Sequence, residues 1–131
     1  WKHRRQRQMC IRDRLKSFQM TGHSLGSAIC ILSAFHIARA FSPDKILNIY
    51  SFAGPTVGND VFVEEYNQLL MDKTFRIANE IDIITKVPPN HKHVATNEYT
   101  FCFFDKAHNL FEHHFFTVGY QSNFARILKQ V

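Results

Sequence analysis

Residues 21–30 read TGHSLGSAIC and set Ser24 midway between Gly22 and Gly26, with His23 directly before it. A serine hydroxyl is a poor nucleophile until a base takes its proton, and the base needs a carboxylate to orient it. For a serine carried between two glycines on a strand-to-helix turn, those partners follow in the order acid, then histidine. Asp82 is the first candidate acid. It stands in a loop after TFRIAN, where Ile81, Ile83 and Ile84 would strip water from it, and a desolvated carboxylate requires a partner. The adjacent Glu80 is the second choice, and a loop aspartate that caps a turn is the plainer reading of Asp82. Five histidines follow: His91, His93, His108, His113 and His114. His113 and His114 open the last apolar segment, where a loop can hang an imidazole over a sheet edge. His91 and His93 could pair on a metal, but no cysteine or third histidine stands at ligand spacing, so no metal site is expected.

These residues need elements to hold them. SFQMTGHS reads as a short strand running into a turn. From Leu25 to Phe41 the chain is apolar on nearly every side, the pattern of a buried helix, and Ser42-Pro43 ends it. KILNIYSFAG is a mostly apolar strand, as in a sheet covered on both faces. Asn59 or Asp60 is placed to cap a helix over 60–71. TFRIAN and EYTFCFF are further strands, and Phe116, Tyr120, Phe124, Ile127 and Leu128 recur at helical spacing over 113–130. Strands alternating with helices predict an α/β fold with a mostly parallel sheet and covering helices.

On that scaffold Ser24 would sit on a nucleophile elbow, a strained turn that lifts its hydroxyl above the sheet edge. Side chains at positions 22 and 26 would collide with the neighbouring strand and helix, which accounts for both glycines. The helix that starts after Ser24 aims free N–H groups at the same point and would favour an oxyanion there. A glycine-rich turn with a capping serine is the plainer alternative.

The net charge is +5 over 131 residues, yet residues 1–17 carry seven basic side chains against Asp13 alone. The remainder holds nine basic and ten acidic groups, so nucleic-acid binding by the folded part is not expected. QRQMCIRDR resembles translated sequencing-adapter sequence, and residues 1–16 are expected to be a non-native tail. A basic arm that binds phosphate or anionic lipid is the other reading. The cysteines Cys10, Cys30 and Cys102 show no CxxC spacing, and Cys30 and Cys102 are expected to be buried thiols. No apolar run reaches the roughly 18 residues of a membrane span.

Over residues 17–131 the chain resembles the class 3 lipase family, of the fungal triacylglycerol lipase type. MTGHSLGSA is similar to that family's elbow, YSFAGPTVGND to its next strand and turn, and FRIANEIDIITKVPP to the run that carries its acid. The resemblance implies an α/β-hydrolase fold, with Ser24 as nucleophile, Asp82 as acid and the backbone N–H of Leu25 as an oxyanion donor. The family's base precedes its C-terminal helix, usually about five residues before a tyrosine. Tyr120 lies six residues after His114 and seven after His113, so His114 is favoured and His113 stays open. His93-Val94 is similar to a histidine of the family that is not catalytic.

The expected activity is hydrolysis of fatty-acyl esters through an acyl-enzyme, with no cofactor and with a lipid or other acyl ester as partner. Contact with a lipid interface would accompany it. A phospholipase A1 or feruloyl-type esterase on the same scaffold is the alternative. A non-catalytic lipase-like module that binds lipid or protein is the rival from another class. The family's N-terminal half, with its lid and second oxyanion donor, is not visible, so these residues alone are expected to be weakly active or inactive.

Overall fold

The computed structural model describes residues 17–89, 92–94, 97–102, 106, 109 and 111–121. Four strands form one sheet in the order β1 (Phe18–His23), β2 (Ile46–Phe52), β3 (Thr74–Asn79) and β4 (Asn97–Phe101). Every neighbouring pair is parallel. Parallel neighbours cannot be joined by a tight turn, so each connection crosses over. Helix α1 (Leu25–Ala40) links β1 to β2, and α2 (Asp60–Leu70) links β2 to β3.

Right-handed crossovers taken in one direction leave both helices on the same face. The core agrees: Ile46 and Ile49 of β2 pack with Cys30, Ile31, Ala34 and Ala38 of α1 and with Val63, Tyr66 and Leu70 of α2. The opposite face is aromatic. Tyr50, Phe52, Phe75, Tyr99 and Phe101 line it, and the buried Tyr120 packs over its upper end. The Tyr50 and Phe75 rings stack at 5.2 Å, and those of Phe75 and Tyr99 at 6.4 Å.

Asn59 is the cap of α2. Its side chain accepts from the Phe62 N–H at 3.0 Å, while Asp60 opens the helix with a carboxylate at the positive end. Helix α1 departs from expectation. Its buried stripe is Ser27, Cys30, Ile31, Ala34 and Ala38, whereas Leu25 and Ile29 are 69% and 56% exposed. Among the described residues one face of the helix meets the sheet and α2, and the other half of its apolar sequence is left uncovered. Cys102 also departs: Cys30 is buried, but Cys102 is exposed because β4 ends one residue before it. In place of the start of a long last helix, Glu112–His114 forms a 3₁₀ turn and Phe116–Tyr120 a single π turn. The expected tail 1–16 and the stretch 122–131 lie outside the described residues. Among the described residues no helix is long and apolar enough to cross a membrane.

Candidate active site

All four strands point the same way, so the residues following them gather at one edge of the sheet, where open α/β sheets place their sites. Ser24 follows β1 directly. Its φ of 57° and ψ of −127° lie where a side chain is strained, and its hydroxyl makes no capping bond to α1. A Cβ on Gly22 would strike the carbonyl of Gly26, so a side chain there would push the helix off the strand. Gly26 behaves differently. A Cβ at that position meets nothing within 4 Å among the described residues, so the expected collision holds on one side of the elbow only.

The Ser24 hydroxyl faces His114. Its Oγ lies 2.6 Å from His114 Nε2. The other ring nitrogen, Nδ1, lies 3.0 and 2.9 Å from the two oxygens of Asp82. A carboxylate only accepts, so Nδ1 carries the proton and Nε2 presents a lone pair to the serine. That tautomer can take a proton from Ser24. Asp82 is fully buried in the loop after β3, and its Oδ1 also accepts from the Ile84 N–H at 3.0 Å. Thr85 Oγ1 donates to the Asp82 carbonyl at 2.7 Å and closes the turn beneath it.

The first residue of α1, Leu25, has no carbonyl four positions back within the helix, so its N–H remains free of the helical ladder beside Ser24. This arrangement can support nucleophilic attack on a carbonyl, with proton transfer through an imidazole. The other candidates stand apart from it. Glu80 is exposed, and its N–H donates to Phe101. His113 is fully buried in the residue before His114. His93 contacts the Thr85 carbonyl at 2.7 Å and the Arg76 guanidinium at 3.1 Å, and burial and that cation hold its pKa below the usual range. His91 and His108 lie outside the described residues.

The family model described as "Lipase (class 3)" matches residues 6–92, two-thirds of the chain. The chain belongs to the class 3 lipase family. A phospholipase A(1) DAD1 of Arabidopsis thaliana, chloroplastic, is 42% identical over 76 residues, which is 58% of this chain and 17% of that protein. Toxin TseL of Vibrio cholerae is 33% identical over 75 residues, or 57% of this chain and 11% of the toxin. Among solved structures, a mono- and diacylglycerol lipase from Aspergillus oryzae superposes with a TM-score of 0.60 at 26% identity. That match covers 81% of this chain and 40% of the other. The chain thus spans about a sixth of the curated relatives it matches first. Such likeness gives the sheet and helices of an α/β-hydrolase.

This class 3 lipase segment holds two site contacts that its sequence did not announce. Tyr120 is fully buried, and its hydroxyl donates to Asp82 Oδ2 at 2.6 Å while accepting the Asn79 N–H at 3.2 Å. Burial and the facing carboxylate raise its pKa far above the ordinary phenol value. His23 Nε2 lies 2.9 Å from the His114 carbonyl oxygen. Tyr120 stood in the sequence as a core residue and a register marker, and His23 as part of the elbow. These contacts span 38 and 91 residues, so no local pattern could have announced them.

Proposed function

We propose that the protein carrying these residues is a serine hydrolase of lipid acyl esters, with Ser24 as nucleophile, His114 as general base and acid, and Asp82 as the orienting carboxylate. The observation that carries this reading is the unbroken contact from Ser24 Oγ through the His114 ring to buried Asp82. As Oγ attacks the ester carbonyl carbon, its proton passes to His114 Nε2, and the carbonyl electron pair moves onto oxygen beside the Leu25 N–H. When that pair returns, the C–O bond to the alcohol breaks and His114 protonates the leaving oxygen. Water then attacks the acyl-serine, gives its proton to His114, and the fatty acid leaves as Ser24 regains its own.

Similarity to a phospholipase A(1) and to a mono- and diacylglycerol lipase supports a glycerolipid ester as the substrate class. The resemblance to lipases of the fungal triacylglycerol type points first to an acyl ester of a triacylglycerol. The 42% identity to a phospholipase A(1) supports the second reading, an acyl ester of a phospholipid. The test uses the full-length protein that carries these residues. A fluorophosphonate probe should label wild type and leave Ser24→Ala unlabelled, and equal labelling would remove Ser24 as nucleophile. Fatty-acid release is then compared on a triacylglycerol emulsion and on phosphatidylcholine vesicles. Release from the vesicles alone would establish the second reading, and release from neither would refute the proposal.

A further inference from the structure

His23 takes no part in the proton transfers above, yet it is built into the site. It ends β1 and immediately precedes Ser24. Its Nε2 sits 2.9 Å from the His114 carbonyl oxygen, which can only accept, so the neutral ring carries its proton on Nε2. Three rings enclose it. The His114 ring lies 5.1 Å away, and Phe116 and Tyr120 both meet it edge-on at 5.7 Å. Two consecutive residues of the elbow therefore grip both ends of one residue: Ser24 meets the tip of the His114 side chain, and His23 meets its main chain.

We propose that His23 is a positioning residue for the base, its Nε2–H fixing the main chain from which the His114 imidazole reaches Ser24. The inference rests on the Ser24–His114–Asp82 reading proposed above. His114 stands on a short 3₁₀ turn followed by a π turn, so the sheet does not hold its backbone as it holds Ser24. A bond from the sheet edge to the His114 carbonyl supplies what regular structure does not. The titratable groups that face His23 are His114 and Asp82, and Tyr120 packs against its ring. Burial lowers the His23 pKa. A neutral ring there keeps a like charge away from the imidazolium that forms on His114.

The test compares His23→Phe, which keeps a ring and removes the donor, with His23→Gln, which retains an N–H donor. Both are measured in the full-length protein by ester turnover per fluorophosphonate-titrated site. A base displaced by about 1 Å costs on the order of a hundredfold, so kcat of His23→Phe should fall about ten- to a hundredfold while KM stays within about threefold. His23→Gln should recover most of that loss, and the acid limb of the kcat/KM profile should keep its position in both. Wild-type kcat in His23→Phe would overturn the proposal. So would a His23→Gln variant as slow as His23→Phe, or an acid limb that moves with the substitution, which would mark His23 as a proton carrier. If His23→Phe does not fold, side-chain nitrogen NMR of the wild type decides: a neutral Nε2–H tautomer is expected, and Nδ1–H overturns the inference. A wild type that is neither labelled nor active takes both readings down. An active wild type, an inactive Ser24→Ala and an unimpaired His23→Phe remove this one alone.

Discussion

Replacing Asp82 by asparagine should cost both stability and rate, and the structure says why one substitution does both. The buried carboxylate meets three donors: the Ile84 N–H at 3.0 Å on Oδ1, the Tyr120 hydroxyl at 2.6 Å on Oδ2, and His114 Nδ1 at about 3 Å from each oxygen. An amide offers one accepting oxygen and an NH₂ that only donates. With its oxygen toward Ile84, the NH₂ takes the place of Oδ2 beside the Tyr120 hydroxyl and 2.9 Å from His114 Nδ1. That favours the ring tautomer with its proton on Nε2, and that tautomer cannot accept from Ser24. With the oxygen toward Tyr120, the NH₂ opposes the Ile84 N–H. Either way a buried donor is left unmet, at about 1–3 kcal/mol of stability. In the serine-protease template the wrong tautomer costs about ten-thousandfold, equivalent to about 5 kcal/mol of barrier. The expected result is kcat/KM down about a thousand- to ten-thousandfold, read by ester turnover per titrated site, with a lower urea midpoint by circular dichroism. The first orientation already forfeits the Tyr120 donation. Adding Tyr120→Phe should therefore cost about 0.5–3 kcal/mol less than the sum of the two single losses. Strict additivity together with activity within tenfold of wild type would refute the reasoning.

Gly22→Ala should destabilise by about 3 kcal/mol or prevent folding, because its Cβ is driven into the Gly26 carbonyl, whereas Gly26→Ala should stay within about 1 kcal/mol of wild type; denaturation curves in the reverse order would show the elbow packing to be wrong. Gly119→Ala places a Cβ against the His113 carbonyl, so turnover should fall by more than the loss of folded protein accounts for; activity that simply tracks the folded fraction argues against a displaced base. His93→Ala should retain turnover in the folded protein, since its partners are Thr85 and Arg76, and an inactive, folded His93→Ala would reassign the base. Burial lowers the pKa of both His23 and His93 in the folded chain. Below the unfolded histidine value of about 6.5 the unfolded state binds more protons, so stability is intact above that pH and falls as pH drops beneath it. The urea midpoint should decrease from about pH 7 to about pH 5, and His93→Gln should flatten the decrease; an equal slope in both proteins would exclude His93 as a source.

The strands and the elbow were legible because their causes are local. TFRIAN is a strand from Thr74 to Asn79 as its pattern requires, and Gly22 marks a true close approach. Asp82 stood out because three isoleucines around one carboxylate imply burial with a partner, and it is fully buried. Gly26 misled because two symmetric glycines suggest two collisions, while helix geometry turns position 26 away from the sheet. Helix α1 misled because composition reports that a face is apolar, not that another element covers it: Leu25 and Ile29 are exposed. The choice between His113 and His114 turned on a tight 3₁₀ turn that spacing to Tyr120 could not resolve. In the structure that turn buries the first ring and directs the second to Ser24.

The hydroxyl of Ser24 is held where it is by the strand ends rather than by its own helix. Ser24 donates its N–H to Phe52 at 3.0 Å, Ala53 donates to Ile77 at 3.0 Å, and Glu80 donates to Phe101 at 2.8 Å. Each residue that leaves the sheet is thus still bonded to the next strand. Two of the three, Ser24 and Ala53, have positive φ at 57° and 52°, a conformation that costs a side-chain-bearing residue about 1–3 kcal/mol. The ladder bonds that clamp these positions are what sustain the strain. They fix one end of the Ser24–His114 contact to the accuracy of a β-sheet. The other end stands on a 3₁₀ and a π turn, which have poorer hydrogen-bond geometry of their own. The separation between the Ser24 hydroxyl and the His114 ring is therefore set by how well that turn is tied back to the sheet edge. The ties run through Tyr120 to Asp82 and Asn79, and through His23 to the His114 carbonyl. Turnover should accordingly be more sensitive to these two side chains than to any equally destabilising change on the helical face of the sheet.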